Sequence, residues 1–278
     1  MLKKLLFNIK KYFVYKKFLF HYCVYLTEHC NLNCQMCNTF SPIAEPAFYD
    51  VNEYEKDCKK LSKLFKHRTH KIFLMGGEPT LHKDLIEFMR ISRKHFPSKK
   101  TVIEVLSNGV LILSLPERFW EACKEYNIEL AISKYPVGID YDKIEKKAAE
   151  YNIRVSYHKG FVNDIERKSY RYQMDETGKQ DIKNAYRCYS ASLAILKYGK
   201  VYKCPICASI NNFNKYFGKN LERTSADYID LNKKNKVNDI FSFLYHPSPF
   251  CRYCIIPEKH EPDVVDWDYS KKDIKEWT

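Results

Sequence analysis

The chain of 278 residues is long enough for one large domain, or for a core domain with a small appendage. Hydrophobic residues make up 45% of it and glycine is sparse, which excludes a disordered or low-complexity protein. The formal net charge of +13 fits either lysines on solvated faces or an anionic partner. Because the lysines are spread along the chain without arginine–aromatic runs, no nucleic-acid binding is expected.

The amino-terminal segment, residues 1–20, is basic and aromatic. Lysine interrupts it repeatedly and no long apolar stretch follows, so it lacks the pattern of a secretory signal or a membrane span. We expect a solvated leading helix that also permits peripheral contact with an anionic membrane surface. Eleven cysteines without an export signal predict the reducing cytoplasm, where clustered cysteines indicate metal or redox chemistry rather than disulfides.

Strand-like and helix-like segments alternate through the next part of the chain. An apolar run over 22–26 ends at the first cysteines, and Asp50 is placed to cap a helix with apolar residues at helical spacing. Further strands are predicted over 71–75, 101–106, 129–133 and 153–157. This alternation favours a parallel sheet with right-handed crossovers, arranged as a partly open β/α barrel. In such barrels the chemistry lies in the loops that follow the strands.

Three cysteines, Cys30, Cys34 and Cys37, follow the first predicted strand with the spacing C-x3-C-x2-C. Thiolates this close together suit a polynuclear iron–sulfur cluster. Most such clusters have four protein ligands, so one iron would stay open to a small molecule here. The alternative is a zinc knuckle that recruits His29 or Cys23.

The cysteine motif is followed by Gly76, Gly77, Glu78 and Pro79 at the end of the second predicted strand. Together the two motifs resemble the radical S-adenosylmethionine (SAM) superfamily over about residues 20–158. The resemblance implies that the open iron of a [4Fe–4S] cluster binds SAM and that one electron cleaves SAM to a 5′-deoxyadenosyl radical, which abstracts a substrate hydrogen. It also implies an electron donor such as flavodoxin or ferredoxin.

The resemblance also implies the SAM contacts. The Gly-Gly-Glu-Pro turn would bind the methionine amino group, since glycines let the backbone approach closely and a carboxylate suits an ammonium. Met36 stands where many members have an aromatic residue, and it would cover the adenine, with Phe40 and Tyr49 as substitutes. The remaining candidates are small or polar residues at strand ends, which also fit ordinary turn chemistry: Ser107, Asn108, Gly109 and Ser133.

The last third of the chain holds five clustered cysteines: Cys188, Cys204, Cys207, Cys251 and Cys254. Four of them form two C-x2-C pairs. Taken alone, two such pairs predict a four-cysteine zinc site with a long insert.

A predicted hairpin over 194–203, with its turn at Tyr198-Gly199-Lys200, separates the first two of these cysteines. This arrangement resembles the twitch and SPASM auxiliary-cluster modules of radical SAM enzymes. The resemblance implies one auxiliary [4Fe–4S] cluster, held by all of the five cysteines except Cys207. Cys207 would then be a spare thiol, an exchange partner for Cys204, or a hydrogen-atom donor to a substrate radical.

The expected architecture is α/β: a partial (β/α)6 radical SAM barrel with a small cysteine-rich auxiliary domain of a β-hairpin and a helix. The basic segment covers 1–20 and the barrel 21–186. The auxiliary domain covers 187–260, and a tail at 261–278 can pack back on the barrel.

A closed auxiliary cluster cannot bind substrate, so its use is to exchange an electron near the radical, which favours net oxidation. The chain resembles the 2-deoxy-scyllo-inosamine dehydrogenases, which oxidise a secondary alcohol, and the radical epimerases of sugar-like rings. The leading hypothesis is oxidation or epimerisation at a carbinol carbon of a sugar, cyclitol or nucleotide sugar. His158 or Tyr170 would act as base. The cations that would hold an anionic group also fit solvated positions: Arg167, Arg171, Arg187 and Lys134.

Two alternatives remain from the sequence. A maturase of a peptide or protein uses related auxiliary modules, but the segment before Cys30 is shorter than the recognition domain that such enzymes often carry. A zinc-binding nucleic-acid module would explain the C-x2-C pairs and the charge, with salt-sensitive binding. It does not need Gly-Gly-Glu-Pro at a strand end.

Overall fold

The computed structural model of the chain describes residues 19–157, 168–171, 173–188, 190, 193–258 and 263–278. Residues 1–18 and His158 lie outside this part, so the leading helix, its membrane contact and the base at His158 stay predictions. Arg167 lies outside it as well. No helix in the described ranges has the length and apolar character needed to cross a bilayer.

The strands of the described chain are β1 (Leu19–Tyr25), β2 (Thr69–Met75), β3 (Val102–Ser107), β4 (Ile128–Ile132), β5 (Val155–Tyr157), β6 (Lys168–Arg171), β7 (Gln173–Met174), β8 (Ala194–Lys197), β9 (Lys200–Tyr202), β10 (Ile229–Asp230), β11 (Cys254–Ile255) and β12 (Asp263–Asp266). The α-helices are α1 (Val51–Leu64), α2 (Leu85–His95), α3 (Glu117–Glu125), α4 (Tyr141–Glu150), α5 (Pro205–Phe217) and α6 (Val237–Tyr245).

Within the described residues, eight strands form one sheet in the order β10-β9-β8-β1-β2-β3-β4-β5. Strand β8 and strands β1 to β5 run parallel to one another, while β9 and β10 are antiparallel. The predicted α/β class with a mostly parallel sheet is therefore confirmed. The sheet is open, because β10 and β5 lie at its two edges.

Side chains of β1 alternate between two cores, as expected for a strand covered on both faces. Tyr22 and Val24 belong to the core between the sheet and helices α1 to α4, whereas Cys23 and Tyr25 belong to the core on the other face. Asp50 caps α1 as predicted, since its carboxylate accepts hydrogen bonds from the next helical amides at 2.9 and 3.0 Å.

The predicted hairpin is formed by β8 and β9, with a two-residue turn at Tyr198 and Gly199. Both turn residues have positive φ, 46° and 74°, which is typical of a type I′ turn. Strand β8 also pairs with β1 in parallel. The hairpin therefore extends the main sheet and brings the start of α5, with Cys204 as its N-cap, beside the first strand.

A buried ion pair connects the loop after β1 to α5. Lys197 Nζ lies 2.6 Å from Glu28 Oε1, and the two side chains are only 8% and 10% exposed. Lys197 also donates to the Ala208 carbonyl at 2.9 Å, and Asn212 donates to Glu28 at 3.0 Å. Because Glu28 precedes Cys30 by two residues, the pair ties the first cysteine loop to the helix that follows Cys204.

We predict that Lys197→Met lowers the free energy of unfolding by about 3–5 kcal/mol, because it leaves the Glu28 carboxylate buried without its cation. Denaturant unfolding measures this loss. The matched control is Lys215→Met on α5, whose pair with Glu45 is 67% and 71% exposed. That control should cost less than about 1 kcal/mol. Equal losses for the two variants would contradict the assignment.

Candidate active site

The loop after β1 lies directly against the loop after β2, because Gly76 and Gly77 have no side chains. A Cβ on Gly77 would lie 1.9 Å from the His29 carbonyl oxygen, and one on Gly76 would lie 2.6 Å from the Thr27 carbonyl oxygen. The Gly77 amide donates to Thr27 at 2.9 Å, and the Glu78 amide donates to His29 at 3.1 Å. Glycine at these positions thus fixes the start of the cysteine loop.

The buried Glu78 carboxylate joins the ends of β2 and β3. One oxygen accepts from the Thr80 amide at 3.1 Å, the Thr80 hydroxyl at 2.7 Å and the Ser107 hydroxyl at 2.8 Å, and the other accepts from the Asn108 amide at 2.8 Å. Burial raises the pKa of the Glu78 carboxyl, and these donors limit the rise by stabilising the carboxylate. These contacts hold the Glu78 carboxylate in place at the cavity, and its contact with the methionine amino group stays a prediction.

Asn108 carries this network back to the cysteine loop. Its side-chain amide donates to Asn31 at 2.7 Å and lies 3.5 Å from Cys30 Sγ. The Gly109 amide donates to the Ser107 hydroxyl at 3.0 Å, which closes the turn after β3. The ends of β1, β2 and β3 are therefore held together by one set of hydrogen bonds.

A cavity of about 610 Å³ opens beside these strand ends. Most of the site residues predicted from the sequence line it: Cys30, Cys34, Met36, Cys37, Gly76, Gly77, Glu78, Ser107, Asn108, Ser133 and Tyr170. Pro79, Gly109 and Cys207 do not line it. The sequence thus predicted one wall of the cavity well.

Several other predicted contacts lie away from the cavity: Arg171, Arg187, Lys134, Phe40 and Tyr49. Phe40 and Tyr49 are fully buried in the cores, so neither can replace Met36 over an adenine. Lys134 Nζ lies 4.0 Å above the ring of Tyr157. These residues have structural roles that residue type alone does not reveal.

Other residues that line the cavity were not predicted from the sequence. His21, Cys23 and Tyr25 line it from alternate positions of β1, a period-two signal that was available in the sequence. Tyr135 and Trp267 also line it, with their ring centroids 5.6 Å apart. The indole N–H of Trp267 is shielded from solvent and has no hydrogen-bond partner among the residues that the structure describes.

The donor set of the first cysteine loop fits an iron–sulfur cluster. Cys30, Cys34 and Cys37 form no disulfide and all line one cavity, which leaves room beside them for a small molecule. Burial raises the pKa of Cys30, and Glu78, Cys37 and Cys34 raise it further. Across the described ranges, no three His, Cys, Asp or Glu side chains are grouped so as to hold one metal ion.

The four predicted auxiliary ligands are neighbours in space. Burial raises the pKa of Cys254, and the nearby Cys204, Cys188 and Cys251 raise it further. Lys203, which is 2% exposed, lies beside them. Burial lowers the pKa of Lys203, while Cys251 and Cys204 oppose that shift.

This lysine indicates negative charge at the second cysteine group. Lys203 Nζ donates to the His246 carbonyl, and the Asp227 carboxylate acts on its pKa in the same direction as the cysteines. A buried ammonium is costly without a negative neighbour. Thiolates bound to a metal centre would add to the negative charge of Asp227.

Cys207 lies beside this group but points away from the cavity. It is 1% exposed, and its sulfur lies 3.8 Å from the Asp227 carbonyl oxygen. The Cys207 thiol lowers the pKa of Cys204, and so does the Cys207 amide, which donates to Cys204 Sγ at 3.4 Å. This geometry suits a residue that stabilises the Cys204 thiolate, and the role of Cys207 as a hydrogen-atom donor stays a prediction.

Comparison with known proteins agrees with this geometry. Residues 24–157 match the sequence profile of the radical SAM superfamily. This part, just under half of the chain, therefore matches a radical SAM domain, and membership of that superfamily implies SAM and a [4Fe–4S] cluster as cofactors.

Curated relatives match about half of the chain. It is 30% identical over 125 residues to a probable GTP 3′,8-cyclase of Pyrococcus abyssi, covering 44% of this chain and 39% of that protein. It is 25% identical over 150 residues to the GTP 3′,8-cyclase of Pasteurella multocida, covering 50% and 43%. The match thus spans less than half the length of these relatives.

Among solved structures, BtrN in complex with AdoMet and 2-DOIA has the same fold. The TM-score is 0.52 at 17% identity, over 89% of this chain and 98% of that one. At this identity the likeness concerns the fold alone.

We predict that Gly77→Ala weakens SAM binding by at least about tenfold, because the added Cβ displaces the His29 carbonyl and with it the cysteine loop. The overpacking should also cost about 1–3 kcal/mol of stability. Anaerobic equilibrium dialysis with labelled SAM measures the affinity, and thermal unfolding measures the stability.

The control is Gly138→Ala, where a Cβ meets nothing within 4 Å and only the positive φ of 65° opposes the change. It should cost about 1–2 kcal/mol and leave SAM affinity unchanged. Wild-type SAM affinity in Gly77→Ala would contradict the role given to this glycine.

Proposed function

We propose that the protein is a radical SAM oxidoreductase or epimerase that acts at a carbinol carbon of a sugar, cyclitol or nucleotide sugar. The observation that carries the proposal is the shared cavity. It is lined by the first cysteine loop, by the strand ends that suit SAM, and by further aromatic and polar side chains. A substrate bound to those side chains would lie next to the SAM site.

The aromatic and polar side chains of the cavity suit a polyhydroxylated ring. Tyr135, Tyr170 and Trp267 offer aromatic faces together with hydroxyl or N–H donors, and Ser133 adds a further hydroxyl. Lys168 lines the same cavity, and its ammonium pairs with the Asp266 carboxylate at 2.5 Å. Tyr170 is buried and is the base candidate that the described cavity contains.

The second cysteine group supports net oxidation. Cys188, Cys204, Cys251 and Cys254 would hold an auxiliary [4Fe–4S] cluster. When bound, the two clusters would supply the redox chemistry. One electron would enter at the first cysteine group to cleave SAM, and one would leave through the second.

Tyr25 lies between the two groups. It lines the cavity, and burial raises its pKa, with further contributions from Cys23, Cys37 and Cys204.

For an alcohol substrate, the carbinol hydrogen would pass to the 5′-deoxyadenosyl radical and the hydroxyl proton to the base. Loss of one electron would then give the ketone. Flavodoxin or ferredoxin in the cytoplasm would provide the first electron.

The relatives suggest which substrates to compare. BtrN, with the same fold, was solved with AdoMet and 2-DOIA, which favours an aminocyclitol. The curated GTP 3′,8-cyclases make GTP the competing candidate.

We predict that cysteine variants separate two sets of iron. After anaerobic reconstitution the wild-type chain should hold about eight irons, and Cys204→Ala should hold about four while still cleaving SAM. Cys30→Ala should lose SAM cleavage. The matched control is Cys207→Ala, which should keep about eight irons with a stability loss near 1 kcal/mol. Zinc in place of the second set of iron would contradict the proposal.

Two deuterated substrates test the oxidation. One is 2-deoxy-scyllo-inosamine labelled at its carbinol carbon, and the other is a UDP-hexose labelled at a carbinol carbon of the sugar ring. Transfer of deuterium to 5′-deoxyadenosine, measured by mass spectrometry, supports the proposed reaction. Unlabelled GTP run in parallel detects the competing activity. Conversion of GTP, with no deuterium transfer from either cyclitol or hexose, would overturn the proposal.

A further inference from the structure

We propose that Trp277 couples the two cysteine groups by holding the first cysteine loop and the strand that carries Cys254 in one fixed arrangement. Trp277 acts here as a positioning residue. The inference rests on the proposed function only where Cys254 is taken as an auxiliary-cluster ligand. Its structural part concerns the chain alone.

The carboxy-terminal tail pairs with the first cysteine loop on both sides of Cys34. The Ser270 amide donates to the Asn33 carbonyl at 2.7 Å, and the Gln35 amide donates to the Asp268 carbonyl at 3.0 Å. Cys34 itself forms an antiparallel bridge with Tyr269. A loop without regular secondary structure is thus held as one strand of a short ladder.

Trp277 adds a contact at the third cysteine. Its indole N–H donates to the Cys37 carbonyl at 2.9 Å. The ring is 1% exposed and packs 5.8 Å from the ring of Phe40 and 5.9 Å from that of Phe217. The tail therefore places one buried side chain in direct contact with the loop.

The backbone of the same residue reaches the second cysteine group. The Trp277 carbonyl accepts from the Met174 amide at 2.7 Å. Met174 is the partner of Cys254 in the antiparallel pair of β7 and β11. Hydrogen bonds and strand pairing thus connect Cys37 to Cys254 through Trp277 and Met174.

This connection lowers the cost of arranging the ligands. Ordering each residue of a loop costs backbone entropy, and the first loop places three thiols within eight residues. Contacts with the tail order the loop when the chain folds, before a cluster is present. Both cysteine groups would then have a fixed separation as well as a fixed shape.

The test compares Trp277→Phe with the wild-type full chain, without metal, by hydrogen–deuterium exchange. Loss of the indole donor should speed amide exchange by about tenfold both over 30–39 and over 251–255. The matched control is Trp120→Phe in α3, an equally buried tryptophan that contacts neither segment. It should leave both segments unchanged.

A second variant separates the two halves of the connection. Glu276 accepts from the Met36 amide at 3.4 Å and bonds otherwise only within the tail among the described residues. Glu276→Ala should speed amide exchange over 30–39 alone. If Trp277→Phe does not fold, this variant still tests whether the tail orders the first cysteine loop. Unchanged exchange over 30–39 in Glu276→Ala would overturn that half.

Iron release to a chelator from the reconstituted protein extends the test. Trp277→Phe should lose both sets of iron at least about tenfold faster than Trp120→Phe. If the second group holds no iron, the proposed function fails while the exchange result in the metal-free chain still stands. Exchange in Trp277→Phe equal to that of wild type, or of Trp120→Phe, in either segment would overturn the coupling itself.

Discussion

The close approach of Gly77 to the His29 carbonyl is the constraint on which the site depends. No side chain fits between them, so the loop after β2 supports the residue that directly precedes Cys30. The buried Glu78 then holds the turn after β3, and Asn108 from that turn reaches back to Cys30. Three strand ends are thus linked in a closed set of contacts, and the position of the first thiol follows from the sheet.

A second level of organisation joins the two cysteine groups. The ion pair of Glu28 and Lys197 connects the first loop to α5 on one side. Trp277 connects the same loop to the β7–β11 pair on the other side. The hairpin of β8 and β9 extends the main sheet between them. The region around the second group therefore shares a hydrophobic core with β1 of the main sheet.

Local pattern explains what could be predicted from the sequence. Strand and helix periodicity placed β1 to β4 and their loops, because each signal lies within a few residues. The motifs with Cys30, Gly77 and Asn108 were then expected at one edge of a parallel sheet. The internal donors around Glu78 could not be predicted, because residue type alone does not show which groups surround a carboxylate. The contacts of Cys207 with Cys204 and Asp227 likewise depend on tertiary packing.

Contacts between distant residues could not be predicted in this way. Trp277 and Cys37 are 240 residues apart, and no periodicity marks their hydrogen bond. The same holds for Trp267, which lines the cavity from the tail. Tertiary packing alone brings these residues to the site.

An anaerobic crystal structure of the reconstituted protein with SAM, with anomalous data on both sides of the iron and zinc edges, tests the central claim most directly. We predict iron at two places: one bounded by Cys30, Cys34 and Cys37, with SAM against Gly76 and Asn108, and one bounded by Cys188, Cys204, Cys251 and Cys254. A zinc signal at the second place, or no iron at the first, would contradict the account.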